Sequence, residues 1–410
     1  MNYDVLVIGG GASGMMTAGQ VAARGKRVLL LEKNPTLGAK LSITGGGRCN
    51  ITNAEQDEHK LLVHYGDAQP FLHSAFSQFG VRDTFRFFEE RGLPLVEQAH
   101  KRVFPVSERA QDVVSVLKKY LHEGGVEIRC GATVEKIHVI DGTISGVSVN
   151  GQRLTANSYI LATGGHSHPE TGSTGDGFNW LSMLGHAVKA QTPTIVPLAV
   201  ADAWVKGLAG TTLPAVRIVF YLDGVKKHAL KGDILCTHFG LSGPLILNTA
   251  STVADLLHEG AVTAIIDLYP SEDIGAFDNR IIAVFDANKN KTLKNVWNEI
   301  APLGTQHALM PLLKGIDPDS KVNSITKEQR RMIVDLLKTL PVSITGLMGY
   351  ERAVIADGGL SLEEVDMRTM RSKKYENLFV TGDLLHISRP SGGYSLQLCW
   401  TTGFVAGKNA

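Results

Sequence analysis

Three glycines and one acid carry the first chemical signal in this chain. Gly9, Gly11 and Gly14 stand in a GxGxxG spacing, and Glu32 follows eighteen residues after Gly14. Gly9 permits a tight turn, Gly11 lets a pyrophosphate approach the backbone, and Gly14 lets a helix close on a strand. Ala12 and Ser13 start that helix, whose N–H groups and positive dipole end suit a phosphate. An acid at Glu32 can accept hydrogen bonds from an adenosine ribose and disfavours a 2′-phosphate. A Gly-rich turn in an ordinary α/β domain has the same spacing, so context decides.

The context agrees. Tyr3 to Ile8 reads as a short apolar strand, Ser13 to Arg24 as a helix stopped by Gly25, and Lys26 to Leu31 as a second strand. Two later signals favour FAD over NAD. Leu161-Ala162-Thr163-Gly164-Gly165 follows a strand and offers a second close-approach turn. Thr381-Gly382-Asp383 follows a late strand, where an acid can hold a ribityl chain, order water, or simply cap a turn. Gly392-Gly393 then opens a helix at Tyr394 and Ser395, whose N-terminus can face the N1–C2=O edge of a flavin.

Composition narrows the class. With 410 residues, 43% of them hydrophobic, the chain can bury a large core and divide into two or three domains. The 41 basic and 40 acidic side chains leave a net charge of +1, which gives no whole-surface attraction for nucleic acid or anionic membrane. Cys49, Cys130, Cys236 and Cys399 are widely spaced with no CxxC pair, so neither a disulfide framework nor a structural zinc site is indicated. Free thiols fit a reducing cytosol, and a cytoplasmic, soluble protein is expected. Met1-Asn2-Tyr3-Asp4 enters the first strand with no basic leader, and no apolar run reaches the length of a membrane span.

Along the chain, Phe71 to Arg91 is expected to be one helix with a packed aromatic stripe, and Gln111 to Glu123 another. Val126 to Ile137, Thr143 to Val149 and Arg153 to Leu161 read as strands, turned at Asp141-Gly142 and Asn150-Gly151. A helix over Asp176 to Leu184 is expected to be capped by the Gly172–Gly177 stretch. Strands at Thr194 to Val200, Ala215 to Leu222, Gly232 to Cys236 and Ala261 to Leu268 suggest a second unit. The expected division is 1–191 for the first segment of an FAD domain and 192–270 for a β-rich insertion. A helical insertion at 271–338 follows, then a β-rich return at 339–352 and a C-terminal FAD segment at 353–410.

Several long motifs resemble the bacterial YhiN/BaiN family of flavoproteins. They are Gly9 to Gly14, Gly38 to Asn53, Arg102 to Ser107, Thr171 to Gly177 and Thr237 to Pro244, and the resemblance spans nearly the whole chain. It implies an α/β fold: a glutathione-reductase-type, Rossmann-like FAD domain interrupted by a β-barrel-like domain with a helical subdomain. Lys33, Lys40, Gly46, Gly47 and Val134 join the expected cofactor-binding set. Family chemistries include reduction of steroid-like enones, oxidation of an aminoketone, and reduction of uridine to dihydrouridine in ribosomal RNA. This chain departs from the family pattern in two places. Gly382-Asp383-Leu384-Leu385-His386 stands where Gly-Glu-x-x-Asp is common, and Gly392-Gly393-Tyr394-Ser395 where Gly-Gly-Tyr-Asn is common.

Candidate catalytic residues lie on the loop after Glu32 and in the second unit. Arg48 can bind phosphate, stabilise an oxyanion, or hold its loop by an ion pair. Cys49 can act in redox or proton transfer, or simply pack beside the cofactor. Asn50 and Asn53 can meet ring or backbone groups without adding charge. His166 and His168 can donate a proton or belong to a polar loop. His238 can serve as a substrate-side acid over the flavin or cap the following turn. The histidines form no HExxH or evident triad, so no metal is expected.

The leading expectation is an FAD-dependent oxidoreductase reducing an activated C=C bond of a small molecule. Alternatives are the dihydrouridine-forming version acting on ribosomal RNA, a flavin oxidase of a small aminoketone, and a non-catalytic FAD-binding interaction protein. Arg102, Lys226-Lys227 and Arg330-Arg331 can supply phosphate contacts or form solvated faces. No second strand-linked GxGxxG is present, so NAD(P)H is expected only as a transient electron donor.

Overall fold

The strand Tyr3–Ile8 is buried along almost its whole length, as a parallel strand covered on both faces must be. It lies in a seven-stranded sheet, in the computed structural model that describes residues 3–410. Met1 and Asn2, with the expected leaderless entry to the first strand, lie outside the described residues. Across the sheet the order is Val365–Asp366, Arg371–Ser372, Leu378–Val380, Ala156–Leu161, Tyr3–Ile8, Val28–Glu32 and Glu127–Cys130. The last five are mutually parallel, with Ile8 opposite both Leu161 and Leu31. From the first strand the chain winds outward on one side and returns on the other, so the order reverses between Tyr3–Ile8 and Ala156–Leu161. That is where open α/β sheets form their ligand crevice.

Small residues bring helices onto this sheet. The helix Ala12–Ala22 packs against the last helix, Tyr394–Asn409. A β-carbon on Gly403 would stand 2.6 Å from Ser13 O, and one on Gly407 2.8 Å from Thr17 O. The core continues through Met15, Met16, Leu117, Phe88 and Trp400.

Local structure departs from the sequence expectations where the chain changes layers. The stretch expected as one helix from Phe71 is two, Gln69–Gln78 and Val81–Glu89. Phe79 is extended, and the Asp83 carboxylate accepts the Gly80 N–H at 2.9 Å, which starts a new helix there. The expected Val126–Ile137 strand divides at Gly131, which has a positive φ: Glu127–Cys130 joins the large sheet and Val134–Ile140 starts a three-stranded antiparallel ladder. Asp141-Gly142 and Asn150-Gly151 turn that ladder with positive φ at both residues, as two-residue hairpins prefer.

Met1–Pro193 and Ala353–Ala410 form one compact unit, and Thr194–Arg352 a second. The second is built on a closed six-stranded barrel of Leu198–Val200, Gly240–Ser242, Val225–Cys236, Thr212–Leu222, Val262–Asp267 and Leu340–Leu347. Its helices Ile274–Ala287, Leu293–Ile300 and Lys327–Lys338 bury Phe277, Trp297 and Ile333. The helix Pro244–Glu259, unforeseen from sequence, packs on the barrel. Among the described residues no helix is long and apolar enough to cross a membrane.

Candidate cofactor and active site

The first unit gathers the glycine-rich segments at the C-terminal ends of two adjacent strands. Gly9 has φ +108°, and a β-carbon there would stand 2.4 Å from Ala162 O. One on Gly14 would stand 1.8 Å from Gly9 O. Both glycines are therefore demanded by packing. Gly11 differs, because nothing lies within 4 Å of the same atom. Gly11 is also the N-cap of Ala12–Ala22 and gives it no side-chain cap, which suits the helix N-terminus to an anionic ligand.

Glu32 is buried, and two backbone N–H groups fix it. Its Oε2 accepts the Gly10 N–H at 2.7 Å and its Oε1 the Asn34 N–H at 2.8 Å. Each oxygen keeps a lone pair for a ribose hydroxyl. Lys33 turns elsewhere and pairs with Asp176 at 2.7 Å. Asn34 Nδ2 donates to Thr171 O at 2.9 Å. The Gly172–Gly177 stretch is thus tied to the loop after Glu32. It also starts the helix Asp176–Met183, with Gly175 as N-cap and no side-chain cap.

The late segments meet the early ones here. Gly382, at φ +66°, leaves room for Ser13: a β-carbon would stand 2.7 Å from Ser13 Oγ. Its N–H donates to Thr402 Oγ1 at 3.0 Å. Asp383 borders Gly165, whose β-carbon would stand 3.4 Å from that of Asp383. The Asp383 carboxylate receives, on Oδ1, the buried guanidinium of Arg389, a residue with no motif to mark it in the sequence. Gly393, at φ +100°, starts the last helix where a β-carbon would collide with the Thr52 carbonyl carbon at 2.2 Å. Tyr394 O accepts the Tyr65 hydroxyl at 2.9 Å, and Asn53 Nδ2 donates to Gly392 O at 3.3 Å.

The loop leading to Thr52 has three consecutive left-handed glycines, Gly45, Gly46 and Gly47. No atom lies within 4 Å of a β-carbon built on Gly46 or Gly47. Asn50 Oδ1 and Thr163 Oγ1 are buried without a partner. Lys40 is half-buried and donates to Ser167 Oγ at 3.1 Å. Burial pulls its amine below the ordinary lysine range, with Asp383 opposing that shift. Val134, also buried, begins the ladder strand Val134–Ile140.

Two candidate catalytic residues make contacts of other kinds. Arg48 lies 3.5 Å from Glu108 and 4.5 Å over the Phe104 ring, the loop-holding contacts named among its expected roles. Cys49 is fully buried at φ +62°, and burial pushes its thiol up to about 12, which disfavours the thiolate near neutral pH and agrees with packing beside the cofactor. His168 Nδ1 lies 2.8 Å from Glu170 Oε1, a hydrogen bond within its own loop. His238 belongs to the barrel unit, between Val225–Cys236 and Gly240–Ser242. The turn there is closed by Thr237 Oγ1, which accepts the Gly240 N–H at 3.1 Å, while the His238 ring packs edge-on to Phe239. The cap is therefore Thr237, not His238.

The donor set fits FAD. An uncapped helix N-terminus over an open Gly11 suits a pyrophosphate, and Glu32 is pre-set for ribose. Gly382-Asp383 and Gly392 to Ser395 supply a second half that a bare NAD site does not require.

Comparison with known proteins agrees with this architecture. A 3-dehydro-bile acid delta(4,6)-reductase of Clostridium scindens is 28% identical over 409 residues, covering 98% of each chain. A ribosomal RNA dihydrouridine synthase of Escherichia coli K12 is 26% identical over 410 residues, covering 99% of this chain and 98% of that protein. Among solved structures, a 3-ketosteroid delta1-dehydrogenase of Sterolibacterium denitrificans superposes with a TM-score of 0.56 at 14% identity, over 99% of this chain and 98% of that one. That likeness concerns the fold: a Rossmann-like FAD-binding unit with a barrel and a helical region. The family described as HI0933-like protein Rossmann domain matches residues 3–409, and with all but the extreme ends of the chain accounted for, this protein belongs to that family.

Proposed function

We propose that this protein is an FAD-dependent oxidoreductase of the YhiN/BaiN type that reduces an activated C=C bond in a small molecule. The observation that carries the proposal is the contact of Gly382 with Ser13, which joins the early phosphate cradle to the late acid-bearing segment. Glu32 would hold the adenosine ribose, and Gly9 to Gly14 the pyrophosphate. Asp383 would hold the ribityl chain, and Gly392 to Ser395 would present helix N–H groups to the ring system. Bound FAD supplies hydride-transfer chemistry that these side chains lack. His238, on the barrel unit, is the proposed substrate-side acid, and NAD(P)H the proposed transient electron donor.

A second reading is reduction of uridine in ribosomal RNA. The whole-length similarity to the Escherichia coli synthase supports it, at an identity close to that of the bile-acid reductase. One experiment separates the two. Purified protein is loaded with FAD, reduced anaerobically, and offered steroid-like enones and unmodified ribosomal RNA in parallel. Product formation matched to flavin reoxidation by an enone alone supports the first reading. Reoxidation by RNA, weakened by added salt, supports the second. A colourless protein that takes up no FAD sinks both.

A further inference from the structure

Resting on the FAD reading above, we propose that Arg389 is a positioning residue that clamps Asp383 and the first turn of the last helix into one rigid half of the cofactor site. Its guanidinium is buried and bonded on three sides. Nη2 bonds the Asp383 carboxylate, Nε donates to Ser395 Oγ at 3.0 Å, and Nη1 donates to Ile387 O at 2.6 Å. The three acceptors lie on the turn Gly382–Leu384 after the late strand, on the loop between, and on the second residue of Tyr394–Asn409. One side chain therefore ties that turn to the start of the helix.

The residues it joins matter as much as the bonds. Asp383 and Ser395 are two positions where this chain departs from the pattern described above, and both carry short side chains. A short carboxylate and a short hydroxyl reach less far toward a ligand, so their placement has less slack. A planar fork that bonds both removes that slack, because its donors have fixed relative directions. Lysine has the charge but not the fork. It cannot meet Asp383, Ser395 and Ile387 O together.

The test is a titration of FAD into apo-protein, read by flavin fluorescence and by the visible absorption band. The wild type is compared with R389K, R389Q, S395A and R389Q/S395A, after far-UV circular dichroism establishes that each is folded. R389Q and R389K are expected to bind FAD about tenfold more weakly, the scale of one charge-assisted hydrogen bond, with an altered band shape. S395A, which leaves the Arg389–Asp383 pair intact, should cost a smaller factor in the wild type and nothing further in R389Q. If R389Q fails to fold, S395A and R389K still decide. Full affinity and an unchanged spectrum in R389K or R389Q overturn the clamp. So does an S395A cost that is equal in both backgrounds. A wild-type protein that binds no FAD overturns the flavin reading itself.

Discussion

Gly382 lies so close to Ser13 that a β-carbon on it would stand 2.7 Å from Ser13 Oγ and 3.6 Å from Cys399 Sγ. The turn after the late strand is thereby seated on the first turn of the first helix. Two segments from opposite ends of the chain form one wall, and they do so through the absence of a side chain.

Gly382→Ala tests that seat. The residue sits at φ +66°, where a β-carbon costs about 1–2 kcal/mol before any crowding. The substitution should lower both the melting temperature and FAD affinity. Wild-type values for both would mean that the two segments do not depend on this contact.

Gly11 and Gly14 should respond in opposite ways. A β-carbon on Gly11 meets nothing within 4 Å, so the apo-protein of Gly11→Val should melt as the wild type does while FAD affinity falls at least about tenfold. Gly14→Ala meets the Gly9 carbonyl oxygen at 1.8 Å, so the helix must shift, at a cost of about 1–3 kcal/mol. Thermal melts with and without FAD separate the two. Retention of full affinity by Gly11→Val would remove the phosphate-cradle assignment.

His186 makes acid stability predictable in sign. Its Nδ1 lies 2.9 Å from Glu364 Oε2 and its Nε2 3.2 Å from Ser372 Oγ, with His186 and Ser372 buried and Glu364 partly so. Burial holds the imidazole below its ordinary value of 6.5, outweighing the opposing pull of Glu364. Below that pH the unfolded chain takes up a proton that the folded state resists, so stability is full above 6.5 and declines beneath it. Glu364, held low chiefly by its hydrogen bond with His186, adds a further loss below 4.5. Urea unfolding of the wild type should therefore weaken from pH 7.5 to pH 5, while His186→Gln should show a flatter profile. At pH 7.5 that variant should be less stable by about 1–3 kcal/mol, since its partners lose a matched bond. Equal slopes for both proteins would rule out His186 as the source.

Cysteine labelling checks the packing role of Cys49. Cys130 is exposed and Cys49 is buried with a thiol held protonated near neutral pH. Iodoacetamide at pH 8 should modify Cys130 and spare Cys49 in the native protein. Cys49→Ala should leave the pH profile of turnover unchanged. Fast native alkylation of Cys49 would restore it as a reactive group.

Much of this protein was written in local sequence. The GxGxxG turn, its flanking strands, Glu32 and the Asp141-Gly142 and Asn150-Gly151 hairpins follow from backbone constraints that act within a few residues. The α/β class and the barrel with its helical region follow from strand and helix patterning together with the family resemblance. Only the tertiary structure decided what each polar group faces. Arg389 stands three residues before Gly392, but nothing local says that its fork closes on Asp383 and Ser395. For Arg48 and Cys49 the motif leaves catalytic and structural roles open, and the partners Glu108 and Phe104 and the burial of Cys49 come only from the fold. The break at Phe79-Gly80 depended on a cap from Asp83, and the division at Gly131 on the need to leave one sheet for another. Backbone geometry is set by near neighbours and can be read from them. Side-chain partnership and desolvation depend on residues far away in the chain, and they exist only once the fold has brought those residues together.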